Sequence, residues 1–165
     1  MVRAFLLLGS NMGERATYLE NARFRISLLV GKLFSASSIY ETAAWGKEDQ
    51  PSFLNQVVGI ETALAPRILL ETLLAIEDSL GRTRTEKWAA RTIDLDILFY
   101  GDQIVEEPGL VIPHPAFAQR KFTLVPMAAV APSFIHPVLK KSVEVLLVEC
   151  NDSLDVVAWS REVGQ

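Results

Sequence analysis

The spacing of apolar residues in the first part of the chain predicts a strand followed by a helix. Residues 2–8 form an apolar run, broken only by Arg3, that ends in the turn-forming stretch 9–13. This pattern is typical of a buried central strand that enters a tight turn. From residue 14 to residue 30 the apolar positions recur at the period of an amphipathic helix. The turn has neither the Gly-x-Gly-x-x-Gly nor the Gly-Lys-Ser/Thr spacing, so it does not indicate a nucleotide-binding loop of those types.

Two further strands and a second helix follow. Residues 32–42 and 53–64 are rich in β-branched and aromatic residues, and we expect them to pair as antiparallel strands across the polar loop 43–52. Pro66 begins the second helix, since proline is favoured in the first helical turn, and Gly81 ends it. The apolar stripe of this helix consists of Leu69, Leu73, Ile76 and Leu80.

The fourth predicted strand carries two carboxylates on one side. Apolar residues at positions 93, 95 and 97 alternate with Asp94 and Asp96, so both carboxylates point away from the apolar face. Residues two apart on a strand are separated by about 6 to 7 Å, so each carboxylate could hold one of two neighbouring Mg²⁺ ions bridged by phosphate oxygens. A solvated sheet face is the other interpretation, and the strand alone does not decide between them.

The order strand, helix, strand, strand, helix, strand predicts an α+β sandwich of the ferredoxin-like type. In it a mainly antiparallel sheet carries helices on one face. With 165 residues we expect a single domain, residues 1–165. The remaining predicted elements are the fourth strand at 92–100, a hairpin arm around 104–105 and 110–112, short helices at 122–130 and 142–150, and a strand or packed tail at 154–159.

Charge is distributed unevenly along the chain. The 16 basic and 20 acidic residues give a net charge of −4, which argues against a general affinity for nucleic acid or anionic membranes. The segment 81–91 has the opposite sign, because several basic side chains stand there against Glu86 alone. Any anion site should therefore be local to this segment, whose cations are Arg82, Arg84, Lys87 and Arg91.

Composition also bears on the compartment. Cys150 is the only cysteine, which excludes an intrachain disulfide and a cysteine-rich zinc site. No stretch approaches the ~20 apolar residues of a membrane helix, and the apolar run near the N-terminus is shorter than the core of a signal peptide. We expect a cytoplasmic protein with no membrane partner.

The cationic segment stands immediately before the two carboxylates, and this adjacency favours phosphoryl transfer. That chemistry requires metal ligands and phosphate-neutralising cations in one place and little covalent catalysis. The cations alone would more often be a solvated loop. Trp88, inside the segment, either stacks on a flat ligand or anchors the loop. His114, between two prolines, is either structural or, together with Arg120, a donor to phosphate oxygens.

Several motifs stand in an order that resembles one family. They are Leu-Gly-Ser-Asn at 8–11, Gln-Pro-x-Phe-Leu-Asn at 50–55, and Ile-Glu with Gly-Arg-x-Arg within 76–84. The most specific is Trp-x-x-Arg-Thr-Ile-Asp-Leu-Asp-Ile at 88–97, and Pro-His-Pro with Arg-x-Phe within 113–122 completes the set. The chain resembles the 6-hydroxymethyl-7,8-dihydropterin pyrophosphokinases, folate-pathway enzymes that transfer a diphosphate from ATP to a pterin alcohol.

The resemblance implies a site with metal, nucleotide and pterin positions. In the family pattern Asp94 and Asp96 would hold two Mg²⁺ ions that bridge the ATP phosphates. Arg82 and Arg91 would act in catalysis by neutralising phosphate charge, and the loop that begins at Arg82 would close over the substrates. ATP would contact Glu77, Arg84, Trp88, Ile97, His114 and Arg120, and the pterin would contact Thr42, Ala43, Trp45, Phe53, Asn55, Trp88, Asp94 and Phe122.

The resemblance also implies the reaction. The hydroxymethyl oxygen of the pterin would attack the β-phosphorus of ATP in line, and AMP would leave; no side chain is assigned as the base. ATP and the dihydropterin alcohol are then the only partners expected, and the protein would act as a monomer without nucleic acid.

At some positions the chain departs from the family pattern. The family often has proline at the positions of Ala43 and Ala90, tyrosine at Phe53, and basic residues at Thr85 and Ala116. Any hydrogen bond or charge contact made by those side chains is therefore expected to be missing here.

Two other functions fit part of the pattern. A ferredoxin-like regulatory module would bind a nucleotide without turning it over, and would release no AMP. An RNA-binding sheet of the same topology requires exposed aromatics on its central strands and a basic face. The aliphatic first strand and the negative net charge both argue against RNA binding.

Overall fold

The fold is an antiparallel sheet with helices packed on it. A computed structural model describes residues 1–43, 51–81 and 92–161 of the chain. The strands are β1 (Val2–Ser10), β2 (Gly31–Ala36), β3 (Tyr40–Thr42), β4 (Phe53–Thr62), β5 (Asp94–Tyr100), β6 (Val105–Glu107), β7 (Leu110–Ile112) and β8 (Val157–Ala158). The helices are α1 (Arg15–Leu29), α2 (Pro66–Ser79), α3 (Lys121–Val130) and α4 (Val143–Glu149), with one 3-10 turn at Phe117–Gln119.

The main sheet has six strands in the order β5–β1–β4–β3–β8, and β2 also pairs with β4. All of these pairings are antiparallel. Strand β1 therefore lies between β4 and β5, as its apolar run predicted. The α+β sandwich with a mainly antiparallel sheet is confirmed, and the strands β6 and β7 form a separate hairpin.

Both faces of the sheet are covered, because both sets of alternating residues in β1 are buried. Ala4, Leu6 and Leu8 pack with residues of α1 and α2, whereas Phe5 and Leu7 pack with residues of α3 and α4. The expectation of helices on one face is therefore wrong. A central strand that is apolar in both directions needs cover on both sides. The face that carries Phe5 and Leu7 is called the α3 face below.

The predicted second strand is in fact two strands, β2 and β3, which both pair with β4. Between the pair Ala36–Val58 and the pair Tyr40–Asn55, one more residue lies on the β2–β3 side than on β4. Ser37 fills the gap, since its backbone N–H donates to a β4 carbonyl at 2.8 Å and its Oγ accepts a β4 N–H at 3.0 Å. An extra residue of this kind interrupts the ladder and bends the strand.

The other predicted elements are confirmed with small shifts of their ends. Strand β5 begins at Asp94, two residues later than predicted, and the hairpin and the helices α3 and α4 occur where short elements were expected. The predicted tail strand is β8, which pairs with β3. Among the helices described, none is long and apolar enough to cross a membrane.

His136 is buried in the core under α3 and is held as an acceptor. The residue is 6% exposed, and its ring packs edge-on against the ring of Phe99, with the two ring centroids 5.5 Å apart. Its Nδ1 accepts the backbone N–H groups of Val138 at 3.2 Å and Leu139 at 3.1 Å. Burial lowers the pKa of the His136 imidazole. The folded protein therefore favours the neutral ring, because a proton on Nδ1 would displace both donors.

We expect the free energy of unfolding to fall as the pH drops below about 6.5, the ordinary pKa of histidine. The pKa of His136 is lower in the folded chain than in the unfolded chain, so the unfolded state takes up the proton first and is stabilised by it. Above that pH the ring is neutral in both states and contributes no pH dependence. Urea unfolding at about pH 7.5 and about pH 5.5 measures the change, above the range in which ordinary carboxylates titrate.

A His136→Asn variant is the control for this pH dependence. Its Oδ1 can accept the same backbone N–H groups but does not titrate. The variant should lose less stability than the wild type over the same pH interval. An equal loss in both proteins would show that His136 is not the source.

Candidate active site

Residues of three neighbouring strands form a row across one end of the α3 face. Gly9 of β1 pairs with Asn55 of β4 on one side and with Asp94 of β5 on the other. Residues directly opposite each other in a sheet lie on the same face. Leu7 pairs with Asp96 in the next row, and Leu7 belongs to the core under α3. Both carboxylates and Asn55 therefore share the α3 face.

The two carboxylates are arranged as metal ligands would be. Asp94 and Asp96 are both partly exposed, while Leu95 between them is buried in the core on the opposite face. Mg²⁺ takes one or two carboxylates and completes its shell with phosphate oxygens and water. Among the described residues, no group of three or more His, Cys, Asp or Glu side chains could hold a metal. Two carboxylates on one face are a ligand set that Mg²⁺ accepts when phosphate oxygens complete its shell.

Gly9 leaves room for the Asn55 side chain on the sheet. A Cβ at position 9 would lie 2.8 Å from Oδ1 of Asn55 and 3.8 Å from Cδ1 of Phe53. The first distance is too short for a real contact, so any other residue would displace the Asn55 amide. Sequence reasoning placed Gly9 in the turn and in the family motif at 8–11 but did not foresee its contact with Asn55, because the two residues are distant in the chain.

Three of the predicted pterin residues meet at this place. Thr42 pairs with Phe53 across β3 and β4, which puts both on the same face as Asn55. The Asn55 Nδ2 lies 3.4 Å from Thr42 Oγ1 and donates to it. Thr42 and Asn55 are buried, Phe53 is half-buried, and Ala43, the next residue along the chain, is exposed. This corner offers an amide, a hydroxyl and an aromatic ring to one ligand.

His114 lies beside the carboxylates as a neutral imidazole. Its backbone N–H donates to the carbonyl of Leu98 in β5 at 3.0 Å, and its Nδ1 accepts the N–H of Ala116 at 3.2 Å. Burial lowers the pKa of His114, the charge of Arg120 lowers it further, and the carboxylate of Asp94 partly offsets both. Because Nδ1 accepts, the ring proton is on Nε2, from which it can be donated to an anion.

Arg120 and Phe122 stand at the start of α3, which packs against β3 and β4. The guanidinium carbon of Arg120 lies 5.5 Å from the centre of the Phe122 ring. The backbone N–H of Lys121 donates to Oδ2 of Asp152 at 3.0 Å, and a carboxylate is favourable at a helix N-terminus. Asp152 thus fixes the start of the helix that carries both site residues. Sequence reasoning missed Asp152, since it lies far along the chain.

Two predicted nucleotide residues lie away from the α3 face. Ile97 is 6% exposed and its side chain lies in the core with α1 and α2, so only its backbone could reach a nucleotide. Glu77 is 2% exposed, and its Oε2 accepts the backbone N–H of Leu95 at 2.6 Å. Leu95 stands between Asp94 and Asp96. Glu77 therefore fixes the backbone that carries both carboxylates, and its contact with a nucleotide stays a prediction.

The other predicted site residues lie outside the part of the chain that the structure describes, and their roles stay predictions. They are Trp45 in the connection between β3 and β4, and Arg82, Arg84, Trp88 and Arg91 in the connection between α2 and β5.

The chain matches known proteins over most of its length. A family model described as 7,8-dihydro-6-hydroxymethylpterin-pyrophosphokinase matches residues 5–132. Two relatives carry the name 2-amino-4-hydroxy-6-hydroxymethyldihydropteridine pyrophosphokinase. The Synechocystis protein is 42% identical over 95% of this chain and 81% of its own, and the Bacillus subtilis protein is 45% identical over 77% of each.

Solved structures extend the comparison to the fold. A Plasmodium falciparum HPPK-DHPS triple mutant superposes with a TM-score of 0.75 at 18% identity. The match covers 90% of this chain but only 44% of the other, so this chain spans less than half of that protein. At this identity the likeness concerns the fold alone, and it agrees with the ferredoxin-like arrangement.

Proposed function

The chain belongs to the 7,8-dihydro-6-hydroxymethylpterin-pyrophosphokinase family, the pyrophosphokinases of folate biosynthesis, and we propose that it transfers a diphosphate from ATP to the hydroxymethyl group of 6-hydroxymethyl-7,8-dihydropterin and releases AMP. We include in the proposal a dependence on Mg²⁺. The chain would act as a monomer in the cytoplasm, with the two small molecules as its partners.

The observation that supports this reaction most is the meeting of three kinds of group at one end of the α3 face. Asp94 and Asp96 offer paired carboxylates, His114 is a neutral donor beside them, and Asn55 offers an amide in the same row as Asp94. A nucleotide-binding module would need no second corner with an amide, a hydroxyl and an aromatic ring next to its metal ligands.

In this proposal Asp94 and Asp96 would hold two Mg²⁺ ions. The bound ions would neutralise the negative charge that develops on the phosphate oxygens during transfer. Glu77 keeps the two carboxylates in position, because it accepts the backbone N–H of Leu95, the residue that stands between them. A rigid backbone matters here, since catalysis by positioning is sensitive to small displacements of the reacting groups.

His114 and Arg120 bind the phosphates from the other side of the ligand. The neutral imidazole donates from Nε2, and the guanidinium group provides a positive charge and several N–H donors. The lowered pKa of His114 favours the neutral ring at neutral pH. Its single proton on Nε2 thus remains available as a hydrogen bond to a phosphate oxygen.

The pterin binds at the corner formed by Thr42, Phe53 and Asn55, with its ring edge on the Asn55 amide and Phe122 against its face. Ala43 and Trp45 would complete this wall. The hydroxymethyl oxygen then attacks the β-phosphorus of ATP in line. Among the described side chains, we assign none as the base that accepts its proton.

The cationic segment would cover the nucleotide after it binds. Arg82 and Arg91 would neutralise the transferred diphosphate, Arg84 would contact ATP, and Trp88 would lie over both substrates. Closure of such a segment after ATP binding implies an ordered reaction in which ATP binds first and in which motion of the segment limits turnover.

The experiment that tests the proposal is incubation of the chain with ATP, Mg²⁺ and the dihydropterin alcohol, followed by separation of the nucleotides. We expect AMP and pterin diphosphate in equal amounts, and neither product when the pterin or Mg²⁺ is omitted. Binding of ATP without any AMP would favour the regulatory module and would contradict the proposal.

A further inference from the structure

Arg15, the first residue of α1, joins two strands at the corner where the pterin is proposed to bind. Its Nη1 donates both to Oε2 of Glu41 and to the backbone carbonyl of Ser52, each at 2.9 Å. We propose that Arg15 is a positioning residue for the pterin half of the site. The inference rests on the proposed function, since it names a further residue on which that reaction depends.

The two acceptors of Arg15 stand next to residues of the pterin corner. Glu41 precedes Thr42 in β3, and Ser52 precedes Phe53 at the start of β4. Thr42 and Phe53 pair with each other across the two strands. Neighbouring residues of a strand point to opposite faces, so the Glu41 carboxylate is on the face opposite to Thr42. Arg15 thus holds the pterin corner from the back of the sheet, without touching the ligand.

Asn11 makes a second connection to the same place. Its Nδ2 donates to the backbone carbonyl of Pro51 at 3.2 Å. The carbonyls of Pro51 and Ser52 are consecutive, and both accept from residues 11–15, which run from the end of β1 to the first residue of α1. Gly9 and Ser10 come immediately before them in β1, so the single stretch 9–15 shapes the pterin corner from within the sheet and from behind it.

The requirements of helix α1 do not explain an arginine at position 15. A positive charge at a helix N-terminus is disfavoured by the helix dipole. The Arg15 side chain is 24% exposed and that of Glu41 is 36% exposed, so their charge-assisted hydrogen bond is partly shielded from water. The bonds to Glu41 and Ser52 give this charge a function at the otherwise unfavourable end of the helix.

The test is the affinity for each substrate in an Arg15→Gln variant. Pterin binding, titrated in the presence of Mg²⁺ and a non-hydrolysable ATP analogue, should weaken about tenfold, because the pterin would have to order a corner that Arg15 no longer holds. An ordering free energy of the size of one charge-assisted hydrogen bond, of order 1.5 kcal/mol, corresponds to that factor. Affinity for the ATP analogue alone should change by less than about twofold, because no nucleotide residue is attached to Arg15. An Arg15→Lys variant should fall in between, because its ammonium group keeps a charge for Glu41.

Arg67 provides a matched control on α2. Its Nη2 donates to Oε1 of Glu107 at 3.1 Å and to the carbonyl of Pro108 at 3.0 Å, the same kind of double contact at a place with no proposed ligand. Arg67→Gln should leave both affinities at the wild-type values. If Arg67→Gln weakens pterin binding as much as Arg15→Gln does, the effect is one of general stability and the proposal is wrong.

Amide hydrogen exchange gives a second readout that does not depend on catalysis. The amides of Phe53 and Leu54 should exchange faster in Arg15→Gln than in the wild type, and at the wild-type rate in Arg67→Gln. Unchanged exchange together with unchanged pterin affinity would overturn the positioning role. If the wild type releases no AMP, the proposed function fails, while the exchange comparison still decides whether Arg15 fixes this corner.

Discussion

An Asp96→Asn variant is expected to release AMP more slowly by a factor on the order of a hundred or more, because it loses one of two metal-binding carboxylates. Asparagine has the same shape and keeps an oxygen, but it lacks the charge that holds a divalent ion against a polyphosphate. The fold should be unaffected, since Asp96 is partly exposed and its strand is held by β1. The measurement is the initial rate of AMP release at saturating ATP and pterin.

Asp102→Asn is the matched control for this effect. Asp102 is an exposed carboxylate that follows β5 after Gly101, at the end of the strand away from the site. The Asp102→Asn substitution also removes one negative charge near β5, but away from the site. The variant should therefore release AMP at the wild-type rate. Equal rates for Asp96→Asn and the wild type would mean that the carboxylate pair does not hold a metal needed for transfer.

A Gly9→Ala variant is expected to lose pterin affinity by about tenfold or more, with little loss of thermal stability. The new Cβ would lie 2.8 Å from Oδ1 of Asn55, which is the far end of a side chain and can turn away. Turning breaks its hydrogen bond with Thr42 and removes the amide from the pterin corner. The measurements are the Kd for the pterin with an ATP analogue present and the melting temperature.

Gly59→Ala separates this local effect from general crowding. Gly59 lies on the same face of β4, but its added Cβ would meet Cζ of Phe34 at 2.6 Å and Oγ of Ser35 at 2.8 Å, far from the pterin corner. Its melting temperature should fall while pterin affinity stays at the wild-type value. A Gly9→Ala protein that binds pterin normally would show that the Asn55 amide is not needed there.

Strand β1 shows which features of the fold can be predicted from the sequence and which cannot. Its apolar run predicts a buried central strand, and the structure confirms that position. The same run contains apolar residues of both parities, such as Leu6 and Leu7, which belong to different cores. A strand of that kind requires cover on both faces, so the pattern itself contained the signal against helices on one face. The element order alone did not carry that information.

Two charges at unfavourable helix ends were signals of a different kind. Glu77 lies near the C-terminus of α2 and Arg15 at the N-terminus of α1, and each opposes the helix dipole. Each has a specific partner in the structure, the N–H of Leu95 for Glu77 and the Glu41 carboxylate for Arg15. Such a charge in a sequence indicates that a tertiary partner exists, but the pattern does not say which one.

Features that depend on the exact register of paired strands, or on single contacts between distant segments, could not be predicted. The extra residue at Ser37 shifts the register against β4 between β2 and β3, and the apolar pattern gives no sign of it. The approach of Asn55 to Gly9 depends on the register of β1 and β4. The bond from Lys121 to Asp152 joins distant parts of the chain. The alternation around Asp94 is local, and for this reason it was predicted correctly.

The most direct test of the central claim is a crystal structure with Mn²⁺, an ATP analogue that has a methylene group between its α and β phosphates, and the dihydropterin alcohol. The account predicts anomalous density about 2 Å from the carboxylate oxygens of Asp94 and Asp96, with the pterin hydroxymethyl group directed at the β-phosphorus. Metal and nucleotide bound elsewhere, with both carboxylates left without an ion, would contradict it.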